Sequence, residues 1–393
     1  MVEVRHILGL HMHQPPGNLE LLIDTNEWEA RQIMLCYDRP LKYAWQYPDV
    51  ARFCVGFSGI LLEQLLDPKI IARYAGIIDI PAMLHSYRNT PNIEIVGMGY
   101  FHPIFPLIPK EDWDEQIERG REKVREVFGR EPKIFWPPEM AFTMEMIPAL
   151  VRHGYEYVII DSVHVKPKTT LSSEDRVYRT HIAECDGARI TIVPRDRDLS
   201  NAQESGLDAG WFEGEVGRKT ATANRPCLMT TWSDGENGGW FRQMDEGSGF
   251  WGHFFSPYME RVRSGQMTIR PTTLSEFVAG NPPASEVDVQ TGAWNVGTTS
   301  GYDFSQWAGS DSQRKALEEI WRLSRAFHEM RRTFPGMQPE PVGRKLSIVR
   351  EYILRAETSC YLFWGDSWIP KLYEQTRLAH RILGEIDKMS NRA

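Results

Sequence analysis

The sequence predicts an α/β fold in which a barrel of parallel strands precedes a helical C-terminal region. Short apolar runs alternate with helix-like segments up to about residue 235, which is typical of βα units. About seven such runs occur there, and that number favours a closed barrel over an open sheet. Beyond residue 280 the pattern changes to long amphipathic helices.

The predicted elements follow one another regularly along the chain. The strand candidates are residues 4–10, 52–57, 93–96, 133–136, 157–160, 189–193 and 227–231. The helix candidates are residues 58–66, 110–128, 144–153, 310–332 and 368–389. A polar connector with prolines at residues 280–293 is a candidate boundary, so we predict a barrel domain over residues 1–280 and a helical region over residues 281–393. No Gly-x-Gly-x-x-Gly motif follows the first strand, and a dinucleotide-binding fold therefore lacks its signature.

The composition argues against several classes of protein. The net charge of −8 and the isoelectric point of about 5.8 disfavour nucleic-acid binding, which needs a basic face. No apolar stretch reaches the roughly 20 residues of a membrane span, and the chain opens on a strand-like run rather than a secretory leader. The five cysteines are odd in number and widely spaced, which disfavours a disulfide scaffold or a zinc site. We therefore expect a cytoplasmic protein with reduced thiols, and the oligomeric state stays open.

Four polar clusters lie on or just after predicted strands. They are residues 11–15 after the first strand, Glu94 with residues 99–103 along and after the third, residues 136–139 after the fourth, and residues 231–236 after the seventh. Parallel strands deliver their C-terminal ends to one face of a barrel, so we expect these clusters to meet. Each motif alone is more typical of a surface turn, and the prediction depends on their ordered occurrence.

Two of these clusters supply the carboxyl pair that retaining glycosidic cleavage needs. One carboxylate attacks the anomeric carbon, and the other group protonates the leaving oxygen. Glu139 and Asp234 come from different strands, so they can flank a substrate, and the Trp-Pro-Pro before Glu139 predicts a stiff turn because proline fixes φ. Asp234 and Glu236 alternate in an extended segment, and we expect each to raise the pKa of the other.

Tryptophan is abundant, with thirteen copies, and eight of them lie near the polar clusters. These eight are at positions 136, 232, 240, 251, 294, 307, 364 and 368. Indole faces stack on the apolar faces of sugar rings, which makes a carbohydrate ligand attractive. The alternative is that these residues fill a large core.

The ordered set of motifs resembles glycoside hydrolase family 57, a retaining, α-glucan-active family with a (β/α)7 barrel followed by a helical region. Residues 13–15 match the first block of that family, Glu94 with residues 99–103 the second, residues 136–139 the third and residues 234–236 the fourth. The resemblance extends over most of the chain, including residues 108–112 and 294–307. It implies that Glu139 is the nucleophile, that Asp234 is the acid/base and that Glu236 lies beside it.

The fifth block departs from the family pattern. Relatives often carry an Ala-Glu-x-Ser-Asp-Trp-like segment, and Cys360 and Tyr361 stand here in place of the Asp and Trp. Asp366 and Trp368 lie a few residues on and are candidate substitutes. The linkage, the chain length and the choice among hydrolysis, transglycosylation and branching therefore stay open.

We predict a retaining hydrolase or glucanotransferase acting on α-linked glucans such as maltooligosaccharides, starch or glycogen. The expected sugar-binding residues are His13, Glu94, His102, Trp136 and Glu236, with Trp240, Trp307 or Trp368 closing the pocket. His11 and Gln14 are expected to brace it from behind, and the helical region to contribute to the cleft. The carboxyl groups of Glu139 and Asp234 should lie about 5–6 Å apart, and the chemistry needs neither a metal nor a cofactor.

Two other classes of protein remain as alternatives. The first is a metal-dependent carbohydrate enzyme, such as a polysaccharide deacetylase or a zinc mannosidase, with His11, His13 and His102 as ligands. A deacetylase usually shows an Asp-Asp after the first strand and a His-x-x-x-His later, and this chain has neither. The second is a catalytically silent glucan-binding protein on the same fold.

Overall fold

The computed structural model describes residues 2–243, 245–294, 302–334 and 340–390. The strands are β1 (Val4–Met12), β2 (Phe53–Phe57), β3 (Ile93–Val96), β4 (Ile134–Phe135), β5 (Tyr157–Asp161), β6 (Val165–Pro167), β7 (His181–Cys185), β8 (Ala188–Arg195), β9 (Cys227–Asp234), β10 (Ile269–Pro271) and β11 (Val287–Val289). The helices in the first half are α1 (Asn18–Thr25), α2 (Glu27–Gln46), α3 (Gly59–Leu66), α4 (Pro68–Tyr74), α5 (Ile80–Asn89), α6 (Trp113–Phe128), α7 (Ile147–Arg152), α8 (Ser173–Val177) and α9 (Arg197–Ser205). The remaining helices are α10 (Ala209–Lys219), α11 (Gly238–Phe241), α12 (Ser256–Arg263), α13 (Leu274–Val278), α14 (Ser305–Ala308), α15 (Asp311–Thr333), α16 (Glu340–Ala356), α17 (Ser359–Phe363) and α18 (Ile369–Ser390).

Seven strands follow one another in chain order around a ring. β9, β1, β2 and β3 pair in parallel, and so do β4, β5 and β8. A parallel bridge between Gly97 and Phe135 joins β3 to β4. On the other side the Asp196 N–H donates to the Thr230 carbonyl at 2.9 Å, which joins β8 to β9. These are the seven strands predicted from the sequence, and the predicted α/β fold class is confirmed.

The interior of this ring is filled by apolar side chains from alternate strand positions. They include Ile7, Cys54, Val96, Ile134, Ile159, Val193, Leu228 and Trp232, all buried. Gly9 is required for this packing, because a Cβ there would lie 1.9 Å from the Trp232 ring. Trp136 then stacks on Trp232 with ring centroids 5.0 Å apart. A filled interior leaves ligands only the ends of the strands.

Four strands were not predicted. β7 forms an antiparallel hairpin with β8, and its turn is Asp186-Gly187, where both residues have positive φ. Asp-Gly between apolar runs is a strong hairpin signal that was available in the sequence. The strands β6, β10 and β11 have three residues each, which is too short to give a periodic pattern.

The C-terminal helices α15, α16 and α18 pack around one apolar cluster that includes Leu323, Phe327, Val349, Ile353 and Leu383. At the other end of α15, Ala316, Leu317 and Ile320 belong to the same cluster as the barrel interior. The predicted helices at residues 310–332 and 368–389 correspond to α15 and α18, and α16 was missed. The helical region therefore packs directly onto the barrel.

All five cysteines are free thiols. Within the described ranges, no helix is both long enough and apolar enough to span a lipid bilayer.

Candidate active site

A cleft of about 480 Å³ opens at the C-terminal ends of the barrel strands. Its floor carries the predicted polar groups His11, His13, His102, Glu139, Asp234 and Glu236. One wall comes from α1 and α2 and includes Leu21, Leu22 and Glu29. The opposite wall comes from the end of α17 and the segment after it, and includes Phe363, Trp364 and Trp368. The barrel and the helical region thus both line the cleft.

Glu139 lies in a tight turn after β4. Its backbone is left-handed, with φ 56° and ψ 19°, a conformation that costs a non-glycine residue free energy and is found mainly at functional sites. Pro137 fixes φ at −65° just before the turn, as the Trp-Pro-Pro sequence predicted. Trp294 holds the turn from the other side, because its backbone N–H donates to the Glu139 carbonyl at 3.0 Å.

The Glu139 carboxylate is held by neutral donors. The Trp294 indole N–H donates to Oε2 at 2.8 Å, and the Ser359 hydroxyl lies 3.5 Å from Oε1. His102 Nδ1 lies 3.8 Å from Oε1. Burial, and then the negative charge of Asp234, raise the pKa of Glu139 to about 7.

Asp234 ends β9, and both of its oxygens accept hydrogen bonds. His11 Nε2 lies 2.7 Å from Oδ1, and the Asn237 amide donates to Oδ2 at 2.6 Å. Burial alone would raise the pKa of Asp234, but the charge and hydrogen bond of His11 outweigh it, so the pKa is lowered. The expectation of a raised pKa at Asp234 is therefore wrong. The reason is that His11 contacts Asp234 directly instead of bracing the site from behind.

The pKa of Glu236 is raised, as was expected for both Glu236 and Asp234. It is 1% exposed, its Oε1 accepts the His13 backbone N–H at 2.7 Å, and its Oε2 has no hydrogen-bond partner among the described residues. Burial, and then the charge of Asp234, raise its pKa to about 8. Glu236 therefore favours its protonated form near neutral pH.

Three imidazole rings are stacked beside these carboxyl groups. The rings of His13 and His102 are 4.0 Å apart and nearly parallel, and His11 follows at 5.9 Å from His102. Burial, and then the charge of His11, lower the pKa of His13 to about 3. Burial, and then the charge of His13, also lower the pKa of His102. His13 and His102 are thus neutral, whereas Asp234 raises the pKa of His11 in spite of burial.

The predicted sugar-binding residues fall into two groups. His13, His102, Glu236 and Trp368 line the cleft. Glu94 does not, because it lies near the N-terminal end of β3, where the Ser275 N–H donates to its carboxylate at 3.2 Å. A strand residue so early in β3 points into the barrel interior well below the mouth, and this corrects the expectation that Glu94 lines the pocket.

Three predicted tryptophans also lie outside the cleft. Trp136 is fully buried between His11 and Trp232, at centroid distances of 4.9 and 5.0 Å, so it supports the site from beneath. Trp307 is fully buried in α14, and Trp240 packs edge-on against His253 at 5.7 Å. Of the three residues proposed to close the pocket, only Trp368 lines it. Trp307 fills the core, which was the alternative interpretation of the abundant tryptophans, and Trp240 is partly buried against the core.

Several residues in or beside the cleft were not among the predicted site residues, although Trp294, Trp364 and Cys360 were noted in the sequence. They are Trp294, Ser359, Cys360, Asn237, Arg242 and Trp364. Trp294 and Ser359 lie 155 and 220 residues from Glu139, so no local pattern connects them. Their signal was present only in the family resemblance, since residues 294–307 and the fifth block contain them. Cys360 Sγ lies 3.4 Å from His13 Nε2, in the divergent part of that block.

Within the part of the chain that the structure describes, no group of three or more His, Cys, Asp or Glu side chains has the geometry of a metal site. The three histidines that the metal-dependent alternative would use are stacked face to face, so their nitrogens do not converge.

Comparison with known proteins places the chain in a family. The family model for glycosyl hydrolase family 57 matches residues 7–289. A 4-alpha-glucanotransferase of Thermococcus kodakarensis is 31% identical over 200 residues, which are 51% of this chain and 28% of that protein. Alpha-amylase 1 of Dictyoglomus thermophilum is 24% identical over 320 residues, which are 80% of this chain and 42% of that protein. The matched residues thus make up less than half the length of each of these relatives.

A solved structure shows the same fold over nearly the whole chain. The crystal structure of a family-57-type branching enzyme from Pyrococcus horikoshii superposes with a TM-score of 0.75 and 15% identity, covering 99% of this chain and 91% of that one. The match of the family model to most of the chain confirms the resemblance that the four motifs gave: the chain belongs to glycosyl hydrolase family 57.

Proposed function

We propose that this protein is a retaining hydrolase or glucanotransferase of α-linked glucans, with Glu139 as nucleophile and Asp234 as general acid/base. The observation that carries the proposal is that these two carboxyl groups, from the ends of β4 and β9, line one cleft, where the charge of Asp234 contributes to the raised pKa of Glu139. The amylase and glucanotransferase names of the relatives support the substrate class.

The surroundings of Glu139 suit a nucleophile. Trp294 fixes Oε2, and Oε1 faces the weaker donor Ser359 at 3.5 Å, so Oε1 keeps a lone pair for attack on the anomeric carbon. Attack forms a glycosyl ester and consumes the negative charge, which a buried site stabilises poorly. With a pKa of about 7, Glu139 loses reactivity as the pH falls below neutral. We expect this group to set the acid limb of the activity profile.

The His11–Asp234 pair suits the acid/base. The pair holds one proton on His11 Nε2, which lies 2.7 Å from Asp234 Oδ1. When the glycosidic bond breaks, His11 Nε2 passes its proton to Asp234, and Asp234 delivers a proton to the leaving oxygen. His11 becomes neutral in this step. In the second half-reaction the pair recovers that proton from water or from an acceptor sugar hydroxyl, and the ester to Glu139 is released.

The other groups of the cleft suit a glucosyl ring. Glu236, His13 and His102 supply polar side chains to the floor of the cleft. Trp364 and Trp368 offer flat apolar walls on the side of the helical region. We propose on this basis a division near residue 280, with residues 281–393 completing the cleft. The five free thiols support a cytoplasmic location.

Product analysis tests the proposal. The protein is incubated with maltoheptaose, and with amylose in parallel, and products are separated by length and by linkage. Shorter sugars alone indicate hydrolysis, longer ones indicate disproportionation, and new α-1,6 branches on amylose indicate branching. No turnover of maltooligosaccharides, amylose or glycogen, with binding retained, would favour the silent glucan-binding alternative. Activity lost with EDTA and restored by zinc would favour the metal-dependent one.

A further inference from the structure

A chain of polar contacts crosses the rim of the cleft from α2 to Asp234. Glu29 Oε1 accepts from Arg242 Nη1 at 2.8 Å. Arg242 Nη2 donates to Asn237 Oδ1 at 3.2 Å, and Asn237 Nδ2 donates to Asp234 Oδ2 at 2.6 Å. Neither the predicted motifs nor the proposed mechanism uses Glu29, Asn237 or Arg242.

The donor and acceptor roles in this series of contacts are fixed by the chemistry of the side chains. A guanidinium has only donors, so the Asn237 atom that faces Arg242 must be the amide oxygen. The NH2 of Asn237 therefore faces Asp234. The reverse orientation of the amide would place two donors against each other at Arg242. Arg242 Nε also donates to the Glu236 carbonyl at 2.5 Å, so one guanidinium holds both the loop backbone and the amide.

We propose that Arg242 and Glu29 are positioning residues for Asp234, which hold the Asn237 amide with its N–H aimed at Asp234 Oδ2. The proposal rests on the role of Asp234 as acid/base. Both oxygens of Asp234 are then occupied by donors, so the proton of the acid/base pair resides on His11 in the resting site. The strength of the Asn237 contact sets how readily the pair releases that proton.

Asp234 is surrounded by other titratable groups, and the test must separate Asn237 from them. From the other elements of the site, the groups that interact with it are His11, His13, Glu139, Glu204, Glu236 and Cys360. Arg195 acts on Glu204, and Arg242 acts on Glu236. A change of charge near the cleft therefore shifts several pKa values. A positioning effect is distinguished from such an electrostatic effect by the direction in which the pH profile moves.

The sign of the expected shift follows from the hydrogen bond. The Asn237 N–H stabilises ionised Asp234, so its loss makes the His11–Asp234 pair bind its proton more tightly. The basic limb of kcat/KM, where the pair loses that proton, should then move to higher pH. We expect Asn237→Ala to move it by about half to one pH unit and to lower kcat/KM on maltoheptaose about tenfold.

Glu29→Ala is the decisive variant. Removing its negative charge makes the local potential more positive, which lowers the pKa of the His11–Asp234 pair. If Glu29 acted only through its charge, the basic limb would therefore move to lower pH. Loosening Arg242, and with it Asn237, moves the limb to higher pH, which is the result we expect. Arg242→Met should shift the limb in the same direction as Asn237→Ala.

A matched control comes from the same two elements. Lys42 on α2 forms an ion pair with Glu246 at 2.6 Å, and so anchors the segment that follows Arg242 without contacting Asn237. Lys42→Ala should leave the pH profile unchanged. Thermal unfolding of each variant shows whether it is folded, and because Glu29 also contacts Asn26 at the start of α2, a small loss of stability is expected for Glu29→Ala.

The outcomes separate this proposal from the proposed function. If Asp234→Asn retains full turnover, the acid/base role fails and the positioning role fails with it. If Asp234 is essential but the basic limb stays in place in Asn237→Ala, or moves down in Glu29→Ala, the positioning role alone is overturned. A shift of equal size in Lys42→Ala would also overturn it, because general loosening of the loop would then explain the effect.

Discussion

The two ends of the barrel treat carboxyl groups in opposite ways. At the N-terminal end, Glu276 pairs with Arg52 at 2.9 Å and Asp49 with Arg263 at 2.6 Å, and both acids are about half exposed. At the C-terminal mouth, the Glu139 side chain is 15% exposed and is held by an indole and a hydroxyl instead of a guanidinium. Acidic side chains are thus solvated and paired with arginine at the N-terminal end, whereas Glu139 is buried with uncharged donors at the mouth.

This difference appears in the pKa values. At the N-terminal end, the hydrogen bond from Arg263 lowers the pKa of Asp49. For Glu276, burial is outweighed by backbone and Arg52 contacts, so its pKa is also lowered. At the mouth, burial raises the pKa of Glu139 to about 7 and of Glu236 to about 8. Ion pairs at the N-terminal end lower the pKa values of Asp49 and Glu276, whereas burial at the mouth raises those of Glu139 and Glu236. Asp234, which is paired with His11, is the exception at the mouth.

The largest expected effect is at Glu139. Glu139→Gln should lower kcat on maltoheptaose by about 10⁴-fold or more, because no covalent glycosyl-enzyme forms. Arg52→Gln, which breaks an ion pair at the opposite end, should change kcat less than about twofold. Steady-state kinetics of both variants measure the contrast, and comparable losses in the two would remove the distinction between the ends.

The next effect concerns Asp234. Asp234→Asn should lower turnover of maltooligosaccharides by about 10²- to 10⁴-fold, and turnover of activated aryl glycosides much less, since good leaving groups need little protonation. The ratio of the two losses is the measurement. Equal losses on both substrates would assign Asp234 to substrate binding or to the structure of the mouth.

A smaller effect is expected on stability. Glu139 has a native pKa of about 7, against about 4.3 for an unfolded chain, so its folded form keeps a proton that the unfolded form has lost. Its contribution to stability is therefore complete below about pH 4 and is lost as the pH rises through 7. Glutamine has no charge to bury, and we expect Glu139→Gln to be more stable than the wild type at pH 8 by roughly 1–3 kcal/mol.

Chemical unfolding at pH 5 and pH 8 measures this difference. The advantage of Glu139→Gln over the wild type should grow with pH. An advantage that is the same at both pH values would mean that burial does not raise the pKa of Glu139.

The smallest effect is expected at the N-terminal end. Arg52 and Glu276 are 26% and 49% exposed, and their pairing should contribute less than about 1 kcal/mol to the free energy of unfolding. A double-mutant cycle with Arg52→Gln and Glu276→Gln measures the coupling. A coupling of several kcal/mol would show that this end also contains a tightly held charge.

The sequence predicted the parts of this molecule that depend on local pattern. All seven ring strands were predicted because each is a compact apolar run, and Glu139 and Asp234 were placed at the mouth because Glu139 comes after one strand and Asp234 lies at the end of another. The α2 helix was missed, and it has Pro40 in its interior, which in a sequence usually indicates a break. Glu94 was misplaced because it was assigned to the site with the motif that follows its strand, although its own position is near the N-terminal end of β3, away from the cleft.

The rest depended on contacts between distant parts of the chain. The lowered pKa of Asp234 comes from His11, which is 223 positions away, although sequence neighbours suggested the opposite shift through Glu236. Which tryptophans line the cleft and which fill the core depends on how the helical region packs onto the barrel. Trp307 and Trp368 were predicted for the same role in closing the pocket, but the first is buried and the second lines the cleft.

The left-handed turn at Glu139 also bears on how this chain can evolve. Among the natural residues, glycine, asparagine and aspartate adopt that backbone most readily, whereas β-branched residues strongly disfavour it. A lineage that gave up catalysis would therefore retain an intact mouth most easily through Gly, Asn or Asp at position 139. Relatives with Val, Ile or Thr there should have rebuilt the whole turn. The residue at this one position should thus distinguish descendants that keep the turn and the cleft intact from those that have rebuilt them.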